Sequence, residues 1–593
     1  MTRAGVPTAP REDIDPILAV VLGKKIEAIA KEMSLVLERT ARSPLFQVKD
    51  FCTAVLDERA RILSQEEGLP QMAYAIVHSL EHLIEFFGDD IGPGDIFIQN
   101  DPYYGGNHAP DTCIFMPVFV DGEIHFWGAA KGHLADLGSA VMGGYNPQAT
   151  DIWQENFRIP PLRLYDRGAL RTDVWNLLHA NTRLPHFVLG DIQASIGACR
   201  TGGLRLEALA TEQGVGILKD HLDFLLDATE RRMRTELAQI PDGTYTSEVV
   251  YRCDDGSESI DVTAKLAITT GGGHISVDYA GSSPQTPYYY NCAYGTTFAA
   301  VVAVVLMLVD PDLPHNDGVL RCIDVIVPEG SFLNCTFPSP CVQGNFTSSD
   351  VAGDSIFLAL SEVLPDRVCA GWSRNESHMI KGLDPRTGER FYGPPLLANK
   401  GGAGATSEND GWSFIGLIAC GGGYAANDYE MFEIQNPVRI AHHEYWCDSA
   451  GPGTYRGGLG IRFRYTLEAP ETEVTTYGED WAPAFGLFGG GRSSLNQYRV
   501  QTPGEAMRRL APNTTSRFGA GTVIEADNAG GGGFGPPHRR DVETVRDDAR
   551  NGFVSLETAA EVFGVVVDPE TFEIDHDATA RRREELEHAS LPA

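Results

Sequence analysis

The sequence predicts a mixed helix-and-sheet (α+β) fold: a large, multi-lobed chain with an N-terminal α/β region, β-rich regions after it and a small helical end. Three observations predict it. Leu22, Ile26, Ile29, Met33 and Leu37 recur every three or four residues, as one apolar stripe of a helix does. After Ile240, short alternating stretches such as "IDVTAKLAIT" and "HISVDYAGSS" take over, with the period of half-buried strands. The 593 residues include 64 Gly and 35 Pro, enough to separate many short elements. So long a chain exceeds one hydrophobic core. The texture divides it into residues 15–240, 241–400, 401–530 and 531–593.

The first helix should end near Ser43-Pro44, because the residue before proline leaves the helical region. "DFCTAVLD" reads as a strand, followed by the polar turn "DERAR" and a second strand, "ILSQEEG". Met72 to Phe87 reads as a helix, and "GPGDIFIQNDP" as a turn with a strand. "IFMPVFVDGEIHFWGAAKGHLADLG" is a β-hairpin turned at Asp121-Gly122. Phe298 to Val309 is an apolar run of helical character, expected to be buried. From Gly401 on, glycine-rich loops such as "CGGGYAA" and "GPGTYRGGLG" alternate with strands. "NAGGGGFGPPHRRD" reads as a flexible connection to a helical end unit, in which "VSLETAAEVFG" and "ARRREELEHA" are helices.

Composition excludes several functions. The net charge is −34, and no basic stripe offers phosphate contacts, so nucleic acid is not an expected partner. The longest apolar run has 12 residues, whereas a bilayer span takes about 20, so no membrane association is expected. The segment "MTRAGVPTAPREDIDP" lacks the apolar core of a signal peptide, and the eleven cysteines form no CxxC pair. A cytoplasmic protein with reduced thiols is the expectation. Any metal should therefore sit on histidine and carboxylate ligands.

The stretch "NDPYYGGNHAPDTCIF" concentrates such ligands. His108 and Asp111 stand three residues apart in a glycine loop, immediately before the hairpin. An antiparallel hairpin brings its two ends together, so Asp111 should neighbour His133. Asp50, at the head of a strand, is a plausible fourth ligand. Two imidazoles and two carboxylates suit Zn²⁺, Mn²⁺ or Fe²⁺. The alternative is a loop whose polar side chains only turn the chain. "HSLEH", His78 to His82, matches the inverted zincin pattern on a predicted helix, against a purely structural helix face. His442 and His443 are adjacent in a predicted strand and so should face opposite sides; Cys447 has no base marked beside it. Lys400, before Gly401-Gly402, is a weak phosphate hint, because no glycine loop here fits a nucleotide-binding pattern.

The order of "KDFCTAV", "GPGDIFIQNDPYYGGNHAPD", "KGHLADLG", "DIWQENFRIPPLRLYDRG", "GDIQASIGACRTG", "YWCDSAGPGTYRGGLG" and "GGGGFGPPHRRDVETVRDDARNGFVS" resembles the hydantoinase B family. That family includes the matching half of 5-oxoprolinase and the large subunits of acetone and acetophenone carboxylases. The resemblance runs from about Ile17 to Val567. It implies a hetero-oligomer with a hydantoinase A-like, ATP-binding partner that phosphorylates the substrate oxygen, after which this chain completes the reaction at a divalent metal. The motifs carry the ligand set across as Asp50, His108, Asp111 and His133. Asp136 is expected to orient a ligand imidazole, as metal-bound histidines usually require, and Glu155 or Arg158 to bind polar substrate atoms, the alternative being that both are structural. Gln71 stands where the family has His, and Asn107 where it has Thr or Ser, departures that bear on substrate identity.

The resemblance thus implies an ATP-dependent subunit that hydrolyses a small cyclic amide, a hydantoin or a 5-oxoproline-like lactam. The alternatives are a ketone carboxylase of the acetone or acetophenone type, and a non-catalytic scaffold for the ATP-binding partner.

Overall fold

The structure is a computed structural model that describes residues 14–374 and 376–589. Two compact units divide the chain: one runs to Ala359 and takes in Ala419–Ala425, the other comprises Leu360–Ile418 and the chain from Ala426. The change of texture after Ile240 therefore falls inside the first unit.

In the first unit, α1 (Pro16–Thr40) begins at Asp15, whose side chain accepts the Ile17 N–H, with Pro16 in the first turn. Its stripe of Leu22, Ile26, Met33 and Leu37 is buried, and the helix stops three residues before Ser43, which caps the short α2 (Pro44–Gln47). The strands β1 (Phe51–Asp57), β2 (Ile62–Glu67), β3 (Ile96–Gln99), β4 (Asp111–Val120), β5 (Glu123–His133), β6 (Leu162–Asp166) and β7 (Ala169–Leu170) form one sheet. Its order is β2-β1-β5-β4-β3-β6-β7, antiparallel throughout. The β4–β5 turn places Asp121 at φ 52° and Gly122 at φ 86°, the left-handed pair of a type I′ hairpin. The turn pairs Val120 with Glu123, a bulge between Val118 and Phe119 then shifts the ladder by one residue, and Asp111 and His133 become direct partners at the hairpin's open end.

The helix α3 (Pro70–Phe87) packs on β1, β2, β4 and β5. The helix α4 (Thr172–Ala180) leads into the long α5 (Pro185–Gln213) and α6 (Val215–Leu237). Together α1, α5 and α6 share one apolar core with the sheet. Glycines in α5 permit this close approach: a Cβ at Gly202 would lie 2.3 Å from Met33 Sδ. Then follow β8 (Gly243–Asp254), β9 (Ser259–Gly271) and β10 (His274–Asp278), which with β11 (Ile323–Ile326) make a four-stranded sheet. The apolar run expected to be a buried helix is α7 (Tyr294–Leu306), buried along its length.

The second unit holds a four-stranded sheet and a five-stranded sheet around an aromatic and aliphatic core. Small helices close it at Val542–Arg550, Leu556–Glu561 and His576–Ala589. The expected flexible connection is a correction. Gly530 to Gly533 are buried, and their N–H groups donate to Ser449, Gly458, Gly371 and Gly491 carbonyls. Glycine is required there because neighbouring backbone leaves no room: a Cβ on Gly532 would lie 1.8 Å from the Phe485 oxygen.

Among the described residues no disulfide links any of the eleven cysteines. Among the described residues, no helix is long and apolar enough to cross a membrane.

Candidate metal centre

The loop between β3 and β4 is shaped before any ligand is considered. Asp101 accepts the Tyr103 N–H, and Asn100 donates to the Ala109 and Phe157 carbonyls. Gly105 has φ 85°, and a Cβ there would lie 2.4 Å from the His78 backbone of α3. The loop therefore lies directly on α3, where Ser79 Oγ donates to the Gly105 carbonyl at 2.9 Å. This contact aims His108 and Asp111 into the protein rather than at solvent.

His108, Asp111 and His133 come together as expected. Among the described residues they form the only group of three metal-ligating side chains, with donor atoms within 4.8 Å of one another, and all three are buried. His108 Nδ1 donates to the Val342 carbonyl at 2.9 Å, since a carbonyl can only accept. A neutral His108 then presents a lone pair at Nε2, and that nitrogen lies 2.9 Å from Asp111 Oδ1. A lone pair and a carboxylate oxygen in contact need a cation between them, either a proton or a metal.

The donor set fits a divalent ion. Asp111 Oδ2 and both nitrogens of His133 are buried without a hydrogen-bond partner. His133 Nδ1 is 3.3 Å from Asp111 Oδ1, but not aligned for a hydrogen bond. Ligand atoms held at about 2.0–2.2 Å from one ion stand about 3 Å apart, and Asp111 Oδ1 stands 2.9 Å from His108 Nε2 and 3.3 Å from His133 Nδ1. Burial alone would push the Asp111 carboxyl up, but the two imidazoles hold it well below its usual range.

Asp50 stands at the edge. Its Oδ2 is 3.9 Å from His133 Nδ1, its backbone carbonyl accepts the His133 N–H, and it falls outside the group of three. Burial pushes its carboxyl up to about 7, against the pull of His133 and with Asp111 adding to the rise.

The other three site residues do different work from that expected. Asp136 does not orient an imidazole: its carboxylate accepts from the Arg183 guanidinium and from the Arg183 and Gly143 N–H groups. Arg158 donates to Asp101 Oδ2 at 2.6 Å and lies over the Phe337 ring, bracing the loop rather than lining the centre. Glu155 accepts the N–H groups of Cys341 and Val342 at 3.0 and 2.9 Å. Its partner is thus the peptide segment whose Val342 carbonyl fixes His108. Burial pushes the Glu155 carboxyl up to about 8, against those two hydrogen bonds.

Sequence reasoning missed the segment from Cys341 to Phe346. Asn345 Nδ2 is 3.4 Å from His108 Nε2, and the Phe346 ring is 5.7 Å from that imidazole. Tyr145 stacks on His133 at 6.0 Å and 4°. Both departures from the family pattern lie in this shell: Gln71 donates to the Asn345 carbonyl, and Asn107 donates to the Gln71 carbonyl. Only "QGN" within "CVQGNFTSSD" offered a signal, a polar triplet in an otherwise small and apolar stretch.

The rival motifs resolve as structural. In α3, His82 Nδ1 donates to the His78 carbonyl and His78 Nδ1 pairs with Glu81, so neither joins a metal group. In the second unit, His443 packs on Phe414 and Phe463 and bonds the Tyr429 hydroxyl. Burial pushes the Cys447 thiol up, away from nucleophilic character.

Comparison with known proteins agrees with the ordered motifs. The family description hydantoinase B/oxoprolinase matches residues 15–537. This chain belongs to that family. It is 33% identical to the caprolactamase subunit beta of Pseudomonas jessenii over 96% of this chain and 99% of that one. The crystal structure of the ATP-dependent caprolactamase from that organism superposes with a TM-score of 0.91, covering 97% of this chain and 100% of that chain. A nucleotide-free acetone carboxylase shares the fold at a TM-score of 0.91 and 20% identity, over 99% of this chain and 85% of its own.

Proposed function

We propose that the chain is the metal-dependent catalytic subunit of a two-component, ATP-dependent enzyme that opens a cyclic amide, a hydantoin or a lactam. The observation that carries the reading is His108 Nε2, an imidazole nitrogen 2.9 Å from a buried carboxylate and held there by the Val342 carbonyl. The 33% identity to a caprolactamase subunit along nearly the whole of both chains favours an amide substrate. His108, Asp111 and His133 would hold zinc or manganese, with iron as the third choice, and Asp50 would complete the set. Such an ion supplies Lewis-acid polarisation of a ligand oxygen.

An amide carbonyl is a poor electrophile, which is why the partner's ATP is needed. Transfer of the γ-phosphoryl group to the amide oxygen gives an imidate-like carbon. Water adds to it, the ring C–N bond breaks, and the nitrogen leaves as an amine. A second water cleaves the resulting acyl phosphate to carboxylate and phosphate. This chain's part is to bury the reacting carbon and keep His108 in one tautomer through Val342. Asp111 and His133 stay paired by the hairpin register.

The test is to co-purify the chain with its ATP-binding partner and follow ADP release and ring-opened product with hydantoins, 5-oxoproline and larger lactams. Lactam-dependent turnover that disappears in His108→Ala is the expected result. Full activity in His108→Ala would make the chain a scaffold. Turnover that needs a ketone and bicarbonate would make it a carboxylase subunit.

A further inference from the structure

Lys131 is fully buried on β5, two residues before His133 and on the same face of the strand. Its cross-strand neighbour on β4 is Cys113, as that of His133 is Asp111. Among the described residues the Lys131 ammonium has one partner, the Oδ1 oxygen of Asn107, and no carboxylate lies within ion-pair range. Lys381, similarly buried in the second unit, shows the ordinary arrangement: its ammonium meets Glu473 at 3.4 Å and Thr475 at 2.9 Å. A buried cation without a counter-ion costs folding free energy and persists where function needs it.

Two further facts locate what Lys131 faces. Asn107 is the chain neighbour of His108, and its amide is anchored on the Gln71 carbonyl, so the Lys131 head group is held beside the metal ligands. The residue opposite Lys131 on β4 is Cys113, which offers no carboxylate to pair with it. With a divalent ion against the Asp50 and Asp111 carboxylates, those charges cancel, and Lys131 leaves the centre one positive charge in excess. Two of its three N–H bonds remain for a ligand.

We propose that Lys131 is the oxyanion-binding residue of this centre, holding a phosphoryl oxygen of the activated substrate while Asn107 fixes the lysine. The proposal rests on the cyclic-amide reading for its occupant but not for its chemistry: a phosphoryl group and a bicarbonate both present the oxyanion that an isolated ammonium takes. It also gives one departure from the family pattern a purpose, since the Asn107 side chain grips the lysine.

The experiment measures binding without turnover. The full chain, loaded with zinc or manganese and free of nucleotide, is titrated with inorganic phosphate and separately with bicarbonate by calorimetry. The ε-carbon of Lys131 is followed in parallel by NMR of ¹³C-labelled lysine. Phosphate should bind, move the Lys131 signal, and bind at least about tenfold more weakly to Lys131→Met, with Lys131→Arg intermediate. Lys131→Met should melt no lower than the parent, because it removes an unpaired buried charge and keeps the volume. Tighter binding of bicarbonate would support the oxyanion site and reassign its occupant to a carboxylation. Binding of neither anion, or affinity unchanged in Lys131→Met, would overturn the proposal. So would a large fall in melting temperature of Lys131→Met when the parent binds no anion. Loss of lactam turnover alone bears on the cyclic-amide reading and leaves the anion site to this titration.

Discussion

Two glycine-rich segments, Asn100–Asp111 in the first unit and Asn528–Gly535 in the second, look alike in sequence and are both largely buried. They differ in what their polar groups are left to do. In the second, Gly530 to Gly533 each donate an N–H to a neighbouring carbonyl, and the glycines serve to let backbones touch. In the first, glycine also permits close approach, but the loop delivers Asp111 and His108 to a place where Asp111 Oδ2 and both His133 nitrogens find no hydrogen-bond partner. Density of glycine says only that backbones come close. Buried polar atoms that the protein leaves unmatched say that something else is meant to match them.

The largest effect that could break this contrast is loss of the ion. His108→Ala and Asp111→Asn should each lower metal affinity by more than about 100-fold, because they remove a ligand from a buried set. Metal content per chain after dialysis, read by mass spectrometry, checks this. Retention of a full equivalent in both variants would place the metal elsewhere.

Alanine substitution then tests the two glycine segments directly. In Gly532→Ala the new Cβ lies 1.8 Å from the Phe485 oxygen, so backbone must move, and a stability loss of about 3 kcal/mol is expected. Metal content of the folded fraction should stay at the parent level. In Gly105→Ala the Cβ meets the His78 backbone at 2.4 Å and φ is 85°, so the loop must lift from α3. Here metal affinity should fall more than the melting temperature does. If both variants lose only stability, the distinction between the segments is wrong.

Glu155→Gln is a subtler probe. It keeps the shape but offers one acceptor oxygen where Cys341 and Val342 present two N–H groups. The Val342 carbonyl then drifts, and metal affinity should drop about 10- to 100-fold, as for other residues that position a ligand through a partner. NMR of ¹⁵N-labelled histidine should show His108 losing its single tautomer. An unchanged His108 spectrum would confine Glu155 to structural support.

How legible was this in the sequence? That Asp111 lies near His133 was readable because an Asp-Gly turn closes a hairpin and brings its ends together, whereas the bulge at Val118–Phe119 that makes them direct partners was not. Asp50 was legible only as a plausible fourth ligand at a strand head; what seats it beside His133 is the long-range pairing of β1 with β5, Phe51 opposite Gly132. Val342 and Asn345 could not be read, since they lie more than 230 residues from His108 and only tertiary packing brings them in. The helix α5 carries Gly202 and Gly203, which lower helix propensity yet admit Met33 and Met116. Glu155 and Arg158 were visible as a charged pair, but whether such groups face a ligand or the backbone is not written in their neighbours. The second glycine run was misread for a related reason: an exposed linker and a packed backbone layer call for the same residue.

The smallest expected effect sharpens a second side of the comparison, a buried histidine with a cation against one without. His378 in the second unit is fully buried, stacks on Tyr465 and meets its hydroxyl at 2.5 Å, with burial pushing its imidazole down to about 3 from an ordinary 6.5. A folded-state value below the unfolded one means that the unfolded chain binds the extra proton first. The stability from neutral His378 is therefore fully present above about pH 6.5 and is lost as pH falls from there toward 3. Between pH 6.5 and 5 the loss should be on the order of 2 kcal/mol. Denaturant unfolding of the second unit at several pH values measures it, and His378→Gln should flatten the slope over that window. An equal slope in both units, unaffected by His378→Gln, would show that something other than this imidazole sets the acid limit.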